Sequence, residues 1–184
     1  NKASSEGIVR HFAYVAEHSE LPLIVYNVPG RTGVSCTPEH YARLAEIPRI
    51  NGVKEASGDI SLVSRTRHLC GDALNIWSGN DDQTLPMLAL GAKGVISVAS
   101  NIVPQVMATL CAAALSGDFF TARAIHEAYA GLFDALFYEV NPIPVKTAMQ
   151  MLGWDSGRLR LPLCPMAEGN AAKLQNCLES LQLL

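Results

Sequence analysis

Apolar and polar positions along the chain follow two periods that take turns. Residues 4–18 space Ile8, Val9, Phe12, Val15 and Ala16 at helical intervals, which predicts an amphipathic helix at the start. Leu23-Ile24-Val25-Tyr26-Asn27-Val28 is a short apolar run closed by Pro29-Gly30, the pattern of a buried strand entering a loop. Thr37-Pro38 supplies an N-cap and a proline at the first helical position, predicting a helix through Ile47. The cycle then repeats. A strand over 51–56 leads through Ser57-Gly58-Asp59 into a helix ending at Cys70. A strand over 74–78 leads through Gly79-Asn80-Asp81 into a helix ending at Leu90. A strand over 94–99 leads through Ser100-Asn101 into a helix over 104–115.

Strand–loop–helix units in series, with strands apolar on both faces, predict a parallel sheet. The strand ends at Tyr26, Lys54, Ser78 and Val98 are separated by 28, 24 and 20 residues, ordinary steps for one βα unit. After Gly117-Asp118 the strand signal stops, and 119–140, 143–152 and 165–183 all have helical patterning. A boundary near Ser116-Gly117 follows. A complete (β/α)8 barrel takes about 250 residues. Four strands therefore fit either an open sheet or the second half of such a barrel.

Composition narrows the function classes. Of 184 residues, 49% are hydrophobic and 17% charged, which excludes a disordered or low-complexity chain. Fourteen basic against seventeen acidic residues give a net charge of −3, with pI ≈ 5.9 and no basic block, so no nucleic-acid partner is expected. Mean hydropathy is high at +0.17, yet the longest apolar stretch, 107–115, is far short of a bilayer span, so no membrane association is expected. No charged leader with an apolar core follows Asn1, so no signal peptide is expected. Cysteines 36, 70, 111, 164 and 177 form no C-x-x-C pair and suit reduced, mostly buried thiols of a cytoplasmic protein. The five histidines lack ligand spacing, so no metal site is expected.

In α/β folds chemistry gathers at the carboxyl ends of strands. Among five lysines only Lys54 lies within a strand pattern, in Gly52-Val53-Lys54-Glu55-Ala56-Ser57-Gly58. Partial burial there lowers an amine's pKa and frees it as a nucleophile, unless the ammonium simply reaches water. Tyr26 ends the preceding strand and is either a proton relay facing Lys54 or a core tyrosine bonded to a backbone carbonyl. Arg31, in the Pro/Gly loop above it, suits either a substrate carboxylate or plain solvation. Ser78-Gly79-Asn80-Asp81-Asp82 fits a ligand loop or a helix start with acidic first-turn residues. Gly79 and Ile96 would offer backbone groups to a ligand. No G-x-G-x-x-G, P-loop or G-x-S-x-G motif is present, so dinucleotide, nucleotide and serine-hydrolase chemistry have no support.

Taken in order, Tyr26-Asn27-Val28-Pro29-Gly30-Arg31-Thr32-Gly33, Gly52 to Gly58, Ser78-Gly79-Asn80-Asp81, Gly94-Val95-Ile96-Ser97-Val98 and Asn141-Pro142-Ile143-Pro144-Val145-Lys146 resemble the dihydrodipicolinate synthase family. These are class I, Schiff-base, pyruvate-dependent aldolases, in the superfamily of N-acetylneuraminate lyase. The resemblance runs over essentially the whole chain and corresponds to the family's second half. It implies residues 1–116 as strands five to eight of a (β/α)8 TIM barrel and 117–184 as a C-terminal helical domain.

By the same resemblance Lys54 is the Schiff-base lysine and Tyr26 the relay tyrosine, while Arg31 binds the aldehyde's carboxylate and Ile96 borders the pyruvate site. The implied reaction condenses pyruvate with L-aspartate 4-semialdehyde to 4-hydroxy-tetrahydrodipicolinate in lysine and diaminopimelate synthesis. It needs no cofactor, and the family is typically a cytoplasmic homo-oligomer, a dimer of dimers. The Pro-Gly-Arg-Thr-Gly element separates this chain from neuraminate and 2-keto-3-deoxy sugar acid lyases, the alternative aldolases. The Gly-Thr-Thr-Gly-Glu motif and second tyrosine of the family's first half are not in this sequence, so a non-catalytic half-barrel is the remaining alternative.

Overall fold

A computed structural model describes residues 2–184, which form two compact units, one running to Ile96 and the other Ser97–Leu184. In the first, β1 (Leu23–Asn27), β2 (Ile50–Glu55) and β3 (Asn75–Ser78) make a parallel sheet in sequence order. α1 (Ser5–Glu17) precedes β1, α2 (Pro29–Thr32) and α3 (Pro38–Ala45) link β1 to β2, α4 (Ile60–Cys70) links β2 to β3, and α5 (Thr84–Ala89) follows β3. Ser4 caps α1 by accepting the Gly7 N–H at 3.2 Å, and Asp59 caps α4 by accepting that of Ser61 at 2.8 Å. Thr37 and His40 close a reciprocal capping box on α3, the start that the Thr-Pro pair predicts. The loop after β1 holds one helical turn, α2, which the sequence pattern did not predict; Gly33 ends it with φ +66, a left-handed value that glycine adopts without strain.

Period two sorts each strand into two faces. Val25, Val53 and Ile76 point into a core shared with Ile8, Tyr41, Leu44, Leu62, Val63 and Met87. Each such side chain, fully buried, contributes about 1.5–3 kcal/mol relative to exposure. The register pairs Tyr26 with Lys54 and Lys54 with Trp77 on the opposite face, and Asn27 with Glu55 and Glu55 with Ser78 on the core side.

The fourth expected strand, 94–99, is a correction: it is reduced to one parallel bridge between Ser78 and Val95. Lys93 N–H to Ile76 O, Ser78 N–H to Gly94 O and Ile96 N–H to Ser78 O tie the segment to β3 at 2.7–2.9 Å. Past Ile96 the backbone turns into a 3₁₀ turn over Ala99–Asn101, which ends the extended run. Several predicted helix ends also recede: α3 stops at Ala45, and the helices expected to reach 140 and 183 stop at Ala135 and Ser180.

The second unit comprises α6 (Pro104–Leu115), α7 (Phe119–Ala135), α8 (Ile143–Met151) and α9 (Glu168–Ser180), packed around Leu110, Leu132, Phe133, Leu136, Ala148, Leu174 and Leu178. Within this unit α6 packs along α7. All five cysteines are free thiols, but the expectation that most are buried is corrected: Cys36 is buried, Cys70, Cys111 and Cys177 are half-buried, and Cys164 is exposed. Among the described residues no helix is long and apolar enough to cross a membrane.

Thr37→Ala removes the hydroxyl that caps α3 and is expected to cost about 1 kcal/mol. Urea denaturation should show a lower midpoint with an unchanged slope. An unchanged midpoint would mean that the capping box contributes nothing.

Candidate active site

Lys54 and Tyr26 meet because their strands are in register. Both are one residue short of the carboxyl end, on the face away from the core. The Lys54 Nζ lies 4.3 Å from the centroid of the Tyr26 ring, and Tyr26 is 42% exposed, which does not fit a core tyrosine. A lysine at this distance donates to the ring face as ammonium and is poised as amine once deprotonated.

Burial, chiefly, pulls the Lys54 amine below its ordinary range; the Asp81 carboxylate opposes this and the Arg31 guanidinium adds to it. Asp81, in the loop after β3, is itself buried. Arg31 is exposed on α2. Charges from two strand-end loops, those after β1 and β3, thus act on one amine.

Two glycines make room on this face. A Cβ on Gly79 would lie 2.6 Å from the Ala56 Cβ and 3.1 Å from the Lys54 Cε, so only a bare backbone lets the lysine pass. A Cβ on Gly52 would press into the Asn75 carbonyl and lie 2.6 Å from the Trp77 ring. Gly79 N–H donates to Glu55 O at 2.7 Å and Ile96 N–H to Ser78 O at 2.8 Å. With both donors used by the sheet, the backbone group either residue can offer a ligand is its carbonyl oxygen.

On the core side the sequence reasoning missed a polar cluster. The Glu55 carboxylate is 3% exposed. It accepts Asn27 Nδ2 at 3.1 and 3.0 Å, the Ser57 N–H at 2.7 Å, and the Tyr41 hydroxyl. The signal that could have found it is period two: Glu55 falls on the same face as Val53, and Asn27 on the same face as Val25. Burial, helped by the Glu55 charge, pushes the Cys36 thiol up to about 11, and burial likewise pushes the Tyr41 hydroxyl up, so both stay protonated. In the second unit, Lys146 of the Asn141-to-Lys146 motif pairs with Asp155 at 3.0 Å, and that ammonium holds the carboxyl below its usual range. The pair borders a cavity of about 640 Å³ that also includes Arg158 and Arg160 and none of the candidate site residues.

Helices packed on one face of a three-stranded parallel sheet, and a lysine beside a tyrosine at the strand ends on the other, are the arrangement of part of a (β/α) barrel with a strand-end lysine site. The chain belongs to the dihydrodipicolinate synthetase family, whose profile matches residues 1–181. A 4-hydroxy-tetrahydrodipicolinate synthase of Geobacter sulfurreducens is 49% identical over 184 residues, all of this chain and 63% of that protein. The solved dihydrodipicolinate synthase of Thermotoga maritima is 44% identical with a TM-score of 0.96, covering 100% of this chain and 64% of its own. That of Acinetobacter baumannii, solved with pyruvate, is 41% identical with a TM-score of 0.97, covering 100% and 63%. The chain thus spans somewhat under two thirds of these relatives, within the fold class of a TIM barrel with a C-terminal helical domain.

The lowered Lys54 amine should titrate with a midpoint below the ordinary 10.5. Asp81→Asn removes a charge that holds the proton on and should lower the midpoint further. Arg31→Met removes a charge that drives it off and should raise it. Nuclear magnetic resonance of lysine labelled at Cε, assigned with Lys54→Arg, reads all three. A midpoint at or above 10.5, or shifts of the opposite sign, would contradict this electrostatic account.

Proposed function

We propose that this chain carries the Schiff-base half of a synthase that condenses pyruvate with L-aspartate 4-semialdehyde. The observation that carries the reading is the Lys54–Tyr26 pair: an amine lowered by burial, 4.3 Å from the ring of a strand-end tyrosine. The neutral Lys54 amine attacks the pyruvate ketone, and loss of water gives an imine. Loss of a methyl proton converts the protonated imine to an enamine, with the imine nitrogen taking the electron pair. The enamine carbon attacks the aldehyde carbon, and the resulting alkoxide takes up a proton. The substrate's own amine then attacks the imine carbon, closing the ring and expelling Lys54. Since the imine is the electron sink, this chemistry runs without an external cofactor.

Tyr26 relays protons between solvent, the carbinolamine and the alkoxide. Arg31 receives the aldehyde's carboxylate, a role its two-pronged guanidinium suits. Gly79 and Ile96 border the pyruvate through their carbonyls. The pyruvate-bound relative from Acinetobacter baumannii supports the keto acid. A division at 116/117 belongs to the same proposal. So do a cytoplasmic site and a homo-oligomer built as a dimer of dimers.

The test joins this chain behind the N-terminal part of the Geobacter relative. Pyruvate and borohydride should place a covalent label on Lys54 by peptide mapping, and Lys54→Ala should abolish it. Tyr26→Phe should lower turnover about 10²–10⁴-fold, the scale of a lost proton-transfer group. Arg31→Ala should raise KM for the aldehyde more than for pyruvate. A label on Lys93 or Lys146, or turnover of N-acetylneuraminate in preference to the aldehyde, would overturn the assignment.

A further inference from the structure

Residues 28–35, which carry Arg31, leave the sheet at Asn27 and come back to the Asn27 side chain at Cys36. Asn27 holds both ends. Its backbone carbonyl accepts the Ala56 N–H at 2.9 Å, two residues past Lys54, and its side-chain oxygen accepts the Cys36 N–H at 3.1 Å. The direction of the Asn27 amide is set by Glu55, because both carboxylate oxygens take its NH₂ group. A buried carboxylate is costly unless its lone pairs are filled, and here neutral donors fill them: Asn27, Ser57 N–H and the Tyr41 hydroxyl. Glu55 sits next to Lys54 in β2, on the other face of the sheet.

We propose that Glu55 is a positioning residue: by orienting the Asn27 amide it closes the neck of the Arg31 loop and fixes that loop over the strand that carries Lys54. Its kinetic consequence rests on the function proposed above. The hold of the buried carboxylate reaches the Arg31 loop through Asn27 and Cys36, so losing it loosens aldehyde binding and leaves the pyruvate imine alone.

Glu55→Gln keeps the shape but offers one oxygen where two served. The Tyr41 hydroxyl can turn and accept from the new amide, whereas Asn27 and Ser57 must share what remains. The Cys36 N–H never touches Glu55, so its hydrogen exchange reports the indirect link. In the 184-residue chain, exchange at that amide should rise about tenfold, the effect of one weakened buried hydrogen bond. In the fusion with the Geobacter N-terminal part, KM for the aldehyde should rise by a similar factor, while KM for pyruvate and borohydride labelling of Lys54 stay unchanged. Tyr41→Phe removes one donor and should move both readouts the same way by less; it also serves if Glu55→Gln fails to fold.

Unchanged Cys36 exchange in the folded variants would overturn the proposal. So would aldehyde and pyruvate constants that rise together. If the unsubstituted fusion forms no pyruvate adduct, the Schiff-base function fails, whereas faster Cys36 exchange in Glu55→Gln would still support the link from Glu55 to the loop.

Discussion

The parallel register of β1 and β2 is the constraint on which the rest of the first unit depends. Pairing Tyr26 with Lys54 necessarily pairs Asn27 with Glu55, since neighbouring residues of a strand face opposite ways. A slip of one residue in either strand would exchange its two faces. With β2 slipped, Glu55 would lose the donors that fill its carboxylate, and Lys54 would be driven into the core beside Val25 and Leu62 while Val53 turned out of it. Both outcomes cost several kcal/mol for an unpaired buried charge, so the hydrophobic core and the polar rows enforce the same register.

This arrangement divides the work between the faces of one sheet. The core face contributes stability through Val25, Val53, Ile76 and the helices packed on them, and its polar end row fixes the loops. The opposite face keeps an amine, a phenol and an indole in adjacent positions, with Gly52 and Gly79 leaving the space that Trp77 and Lys54 occupy. Chemistry is thereby set on strands rather than on loops, and the loops bring the Arg31 and Asp81 charges that act on the amine.

Much of this was legible from the chain. The apolar runs at β1, β2 and β3, the Thr37-Pro38 start and the position of Lys54 at a strand end follow from periodicity and turn chemistry alone. The segment 94–99 misled because an apolar run suits a buried strand, yet Ile96 is exposed and Val95 and Val98 are half-buried, and no Gly or Pro marks the turn at Ala99 that ends it. Cys164 and the half-buried thiols misled because cysteine's usual burial is a tendency of the residue type, while exposure is set by tertiary packing. Glu55 was hidden by its neighbour. Beside a candidate nucleophile, a glutamate suggests a surface partner, and only the alternation with Val53 marks it as buried. The role of Gly79 in clearing the lysine's path had no sequence signal, since it depends on the spacing of two strands.

The central claim is that register places Lys54 beside Tyr26 on one face and turns Glu55 to the core face, where Tyr41 of α3 meets it. Nuclear Overhauser contacts test it most directly. The account predicts strong cross-peaks between the Tyr26 ring protons and the Lys54 Hε protons, and between the Tyr41 ring and the Glu55 Hγ protons. Cross-peaks from the Lys54 side chain to Tyr41 or Leu62, with Glu55 contacting the Tyr26 ring, would contradict it.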